Sequence, residues 1–71
     1  MKKKDDLIYD LIFSGIDFFE IDISEYITDI YKHVEFVDSI KSVLKKSKVK
    51  VVKSYLNIGS KTVIWELKVK K

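Results

Sequence analysis

The stretch Ile23 to Leu44, ISEYITDIYKHVEFVDSIKSVL, decides how this chain folds. Ile23, Ile27, Ile30, Val34, Val37, Ile40, Val43 and Leu44 recur at three- and four-residue intervals, the spacing that lines one face of an α-helix. Asp22 stands three residues before Glu25 in capping-box spacing, with Ser24 as an alternative cap, so a helix is expected from Glu25 onward. One helix from Glu25 to Ser47 would run about 34 Å at 1.5 Å per residue, which is long for a chain of 71 residues. No Gly or Pro interrupts Lys32-His33-Val34-Glu35-Phe36. Compactness therefore predicts two helices that meet near His33 to Glu35. The alternative is a single long helix on a three-stranded sheet.

Beyond Ser47 the apolar period changes to two. Val49 and Val51 alternate with Lys48 and Lys50, while Val63, Trp65, Leu67 and Val69 alternate with Ile64, Glu66, Lys68 and Lys70. Asn57-Ile58-Gly59-Ser60 reads as the turn between two strands, with Gly59 free to take positive φ. One face of this hairpin, carrying Trp65, should cover the helices and the other should display lysines. Trp65 is expected against Ile40, Val43 or Leu44.

Toward the N-terminus, Phe19, Ile21 and Ile23 alternate with Glu20 and Asp22, which predicts a short half-buried strand. Before it, Leu7, Ile8, Leu11 and Ile12 predict a short amphipathic helix, capped by Asp5 or Asp6 and ended by Gly15 in a left-handed conformation. Residues 1–4 read as a flexible basic N-terminus and residues 5–71 as one domain. The fold class is α+β, in the order helix, strand, helix, helix, strand, strand.

Composition narrows the function. A domain of this size buries only about 60% of the surface of its unfolded chain, and with no Cys neither a disulfide nor a thiolate zinc site can staple it. The 46% hydrophobic and 13% aromatic content is still enough to build a core. No apolar run approaches the roughly 20 residues of a membrane span, and MKKKDDLIYD turns acidic where a secretory signal would turn apolar. A cytoplasmic protein is expected.

Charge is strongly segregated. Residues 5 to 40 carry ten carboxylates against Lys32 alone, a balance of −9, and residues 41 to 71 carry ten lysines against Glu66 alone, a balance of +9. Such polarity concerns partners and steering rather than fold. The carboxylates have no His, Cys or Ser partner at catalytic spacing. Gly15 and Gly59 are the only glycines, so no phosphate loop exists. His33, the single histidine, reads as a structural residue at a helix junction. No enzyme activity, cofactor or metal is expected.

The order helix, strand, helix, helix, hairpin resembles the winged helix-turn-helix DNA-binding family, in which the third helix enters the major groove beside a hairpin wing. The resemblance covers nearly the whole chain and rests on element order. It implies that VEFVDSIKSVLKKS, Val34 to Ser47, is the recognition helix. Ser39, Lys41, Ser42, Lys45 and Lys46 would then face double-stranded DNA, with Lys53, Asn57 and Lys61 on the wing near its tip. With no Arg to fork onto guanine, sequence reading falls to Asn, Ser and DNA shape. Glu35 and Asp38 suit the positive end of the helix dipole.

The implied function is a small DNA-binding transcriptional regulator of phage, plasmid or prokaryotic origin, acting as a homodimer because one unit makes few contacts. Two other readings stand beside it. The acidic half can occupy a basic site on a partner protein, or it can meet the basic half of a second copy. Lys48, Lys50, Lys68 and Lys70 guard the sheet edge as readily as they bind.

Overall fold

The computed structural model describes residues 1–71 and is α+β, with two helices laid on one face of a three-stranded antiparallel sheet. In chain order these are α1 (Lys4–Phe13), β1 (Phe18–Asp22), α2 (His33–Lys46), β2 (Lys50–Ile58) and β3 (Val63–Lys70), with two 3-10 turns at Ile23–Glu25 and Ile30–Lys32. The sheet order is β1-β3-β2, which puts the last strand in the middle.

The alternation read in β3 sets the layers. Val63, Trp65, Leu67 and Val69 are all buried and face the helices, pairing with Ile21 and Phe19 of β1 and with Leu56 and Val51 of β2. Trp65 has no exposed surface, and its indole Nε1 donates to Ser54 Oγ at 2.8 Å, so burial leaves no polar atom unpaired. Leu7 and Leu11 of α1 and Phe36, Val37, Ile40 and Leu44 of α2 close the core from above. The other sheet face is open, with Phe18, Glu20, Lys53, Tyr55, Lys68 and Lys70 exposed. Val52 is an extra residue in β2, since Val51 pairs with Val69 and Lys53 already pairs with Lys68. This bulge twists the free edge of β2, a common defence against edge-to-edge association.

The helix expected from Glu25 does not form. Asp22 accepts from the Ser24 backbone at 3.0 Å and from its hydroxyl at 2.6 Å, and Asp29 accepts from the Tyr31 backbone at 3.1 Å. Each aspartate caps a 3-10 turn by taking an amide two residues on, and backbone bonds from Tyr26 N–H to Ile23 C=O at 2.9 Å and from Lys32 N–H to Asp29 C=O at 3.0 Å close the turns in place of a continuing helix. A break near His33 does exist, but it separates turns from helix. His33 opens α2 and sits 2.7 Å, through Nδ1, from the Ile30 carbonyl.

Both glycine expectations are also corrected, since neither Gly15 nor Gly59 has positive φ. The hairpin closes through Gly59 N–H donating to Thr62 C=O at 2.8 Å, so Ser60 and Lys61 form the tip. α1 ends at Ser14 in extended backbone, whose hydroxyl bonds the Asp10 carbonyl at 2.5 Å. The Lys71 ammonium covers the carbonyls of Ser14 and Ile16. No side chain caps the start of α1. Asp5 and Asp6 lie inside its first turn, where they complement the dipole. Lys2 is tied to Glu25 by a backbone bond of 2.8 Å and an ion pair of 2.9 Å.

Candidate nucleic-acid interface

The strongest concentration of unpaired charge lies where α2 hands over to β2. Lys41 and Lys45 are four residues apart and so share one side of α2, and Lys45 and Lys46 sit in the last turn, where the helix dipole favours cations. The chain then reverses in two hydrogen bonds. Lys48 N–H donates to Lys45 C=O at 3.1 Å, and Val49 N–H donates to Leu44 C=O at 2.9 Å. This pairing is a Schellman motif, which normally places glycine at the left-handed position.

Here that position is Lys48, with φ 63°, the only positive φ in the chain. A side chain in this conformation costs roughly 1–2 kcal/mol relative to the right-handed region. The buried contact between Val49 and Leu44 offsets part of that cost. What the lysine adds is a fourth cation at one spot. Lys41, Lys45, Lys48 and Lys50 surround a cleft of about 480 Å³ floored by Val49 and Val51. No carboxylate lines it, and the two ion pairs of the molecule, Lys2–Glu25 and Lys53–Glu66, lie elsewhere.

The residues implied by the family resemblance are therefore divided. Lys41 and Lys45 belong to the cleft, while Lys46 and Ser42 are exposed on α2 outside its lining. Ser39 is half-buried and already engaged, donating to the Phe36 carbonyl at 2.8 Å and accepting from Lys4 Nζ at 3.3 Å. Lys53 points to the open sheet face, 3.8 Å from Glu66, an exposed pair of little energetic weight. Asn57 is exposed on β2 opposite Ile64. Lys61 sits at the far tip, in a smaller cleft of about 170 Å³ that also contains Ile30 and Tyr31 of the second 3-10 turn and His33 at the start of α2. Wing tip and cleft thus flank opposite ends of the helix.

Lys48 and Lys50 join Lys41 and Lys45, although their alternation in the sequence fits a guarded edge as readily as a binding role. The readable signal was the short link between the last helical lysine, Lys46, and the first strand lysine, Lys50, which keeps the helix end and the strand start together.

Two side chains titrate away from their ordinary values, and both belong to the N-terminal flank. A hydrogen bond to Glu25, together with its charge, raises the Lys2 ammonium. Burial raises the Tyr26 hydroxyl. The cleft gathers four cations with no carboxylate in its lining, an electrostatic setting that favours anions. Phosphate groups spaced along a chain fit such a surface. No protein-family model, no curated protein and no solved structure matches this chain.

Proposed function

We propose that this chain is a small cytoplasmic nucleic-acid-binding protein that grips the phosphate backbone of duplex DNA through Lys41, Lys45, Lys48 and Lys50, and that it serves as a regulator by binding alone. One observation carries the reading. A lysine occupies the left-handed position where glycine would be easier, and its side chain completes an unpaired cationic cleft. Backbone strain kept at a site of concentrated charge is a reason to look for function there.

The order of elements supports a winged-helix-like use of the domain, with α2 as the helix presented to DNA and the β2–β3 hairpin beside it as a wing. The departure from that family lies in residues 23–32, where two short turns replace the second helix. Contacts would then come from the C-terminal end of α2 and the base of the hairpin. Lysine contacts to phosphate position a protein without reading sequence, so binding should be nearly indifferent to base composition.

Fluorescence anisotropy on a random-sequence duplex, followed across salt concentration, tests the reading. Four neutralised phosphates give a slope of about −4 for log K against log salt. No binding at low salt would end the DNA reading and turn attention to the acidic flank and a basic protein partner.

A further inference from the structure

The solvent side of α1 leaves its apolar groups uncovered. Leu7 and Leu11 enter the core, which places Tyr9 and Phe13 on the opposite side with ring centroids 4.9 Å apart. These rings are 64% and 69% exposed, and Ile16 in the following loop is 57% exposed. Single exposed apolar side chains are ordinary, whereas contiguous ones mark interaction surfaces. Asp6 and Asp10 each precede one of the rings by three residues and so neighbour it on the helix. Neither carboxylate is ion-paired. The surface is a pair of rings beside two acids, with the Lys71 ammonium at its Ile16 end.

We infer that this face docks on the lysine cleft of a second copy of the chain, in a head-to-tail contact. Charge complementarity selects the partner. The cleft offers four unpaired ammonium groups around an apolar floor of Val49 and Val51, with Val52 exposed next to it. A pairing of cleft on cleft, or of α1 face on α1 face, would set like charges against each other. Head-to-tail pairing opposes the two signs, and like charges brought face to face are strongly disfavoured.

The fold prevents a copy from satisfying itself. α1 and β2 both pack on α2, and Tyr9 and Phe13 stay 64% and 69% exposed, so a copy does not cover its own rings. A contact between unlike surfaces leaves one free end of each kind and so extends into chains. It also makes the acidic face of a neighbour a competitor of phosphate for the same lysines. The inference does not rest on nucleic-acid binding, because it needs only that the cleft is cationic.

Sedimentation velocity of the full chain, from about 0.01 M to about 1 M salt, tests it, because the screening length falls from about 30 to about 3 Å over that range. Expected is reversible association at low salt that weakens steadily as salt rises. Tyr9→Ser with Phe13→Ser, and separately Lys45→Glu with Lys48→Glu, should each weaken self-association by about tenfold or more. Mixing the two double variants should restore one productive contact and stop at a dimer, which controls for misfolding of either.

A chain that stays monomeric at low salt and high concentration would overturn the inference. So would a mixture of the two variants that does not dimerise while both retain wild-type circular dichroism. The aromatic variant should keep its affinity for duplex DNA. Wild-type association without any DNA binding would therefore leave this inference standing while removing the proposed function.

Discussion

Residues 23–32 and residues 33–46 carry apolar side chains at the same spacing and adopt different backbones. In the first region Asp22 and Asp29 take the amide two residues ahead, and each bond caps a 3-10 turn. In α2 no aspartate competes in this way. Glu35 in the first turn and Lys45 and Lys46 in the last complement the helix dipole instead. The apolar period decides which side chains are buried, and local side-chain hydrogen bonds decide how the backbone delivers them. Residues 23–32 bury Ile23 fully and leave Ile27 and Ile30 half-buried, whereas the helix delivers Ile40 and Leu44 with no exposed surface and leaves Val34, on the same period, exposed.

The comparison can be broken most directly by truncating equivalent isoleucines. Ile40→Ala should destabilise by about 2–5 kcal/mol in urea denaturation, as a full core truncation does. Ile27→Ala, at a matching position of the period, should cost only about 1 kcal/mol. Equal losses would mean that the turns are packed as firmly as the helix. The next effect concerns the caps. Asp29→Ala should cost about 1 kcal/mol and speed amide exchange at Tyr31, while Asp29→Asn, which keeps the acceptor oxygen, should cost less. Unchanged exchange at Tyr31 would show that Asp29 does not set the turn.

At the far end of α2 the sign should reverse. Lys48→Gly relieves the left-handed side chain and should stabilise the domain by about 1 kcal/mol while weakening DNA binding. A substitution that raises the melting temperature and lowers affinity would separate the structural cost of Lys48 from its use. A fall in both would mean that the lysine is there for packing.

The smallest effect belongs to the N-terminal flank. Tyr26 is raised from its ordinary 10.0 by burial, and Lys2 is raised from 10.5 by its hydrogen bond to Glu25 and by that charge. In both cases the fold favours the protonated form. Their contribution is therefore complete below the unfolded values and is lost as pH rises through the folded ones. Melting temperature should decline once pH passes 10.0, and Tyr26→Phe should make that decline shallower. An identical alkaline profile for wild type and Tyr26→Phe would remove Tyr26 from the account.

The sequence makes some of this legible and conceals the rest for identifiable reasons. The hairpin is readable because Val63, Trp65, Leu67 and Val69 alternate without interruption, and period two has no helical alternative. The short strand at Phe18–Asp22 and the helix at Lys4–Phe13 follow from their periods in the same way. Residues 23–32 mislead because Asp22 serves a helix cap and a 3-10 turn equally well, and Asp29 sits at a solvent-facing position that a helix would tolerate. The interface is half legible. Lys41 and Lys45 follow from their place on α2, but the left-handed turn at Lys48 carries no Gly or Asn to announce it, so its lysine reads as one more edge guard. Lys53, Asn57 and Lys61 join the helix lysines only by analogy with a wing, and of the three Lys61 alone lies at the tip. The chain instead places the hairpin base, and not its tip, beside the end of α2.

The central claim is that four lysines at the junction of α2 and β2 act together as one phosphate-binding site. It is tested most directly by comparing the salt slope of duplex binding for Lys45→Ala, Lys48→Ala and Lys61→Ala. The account predicts that each of the first two makes the slope shallower by about 1 and that Lys61→Ala leaves it unchanged. Equal changes at Lys45 and Lys61 would contradict it, because the lysines would then form a diffuse cationic surface with no cleft at its centre.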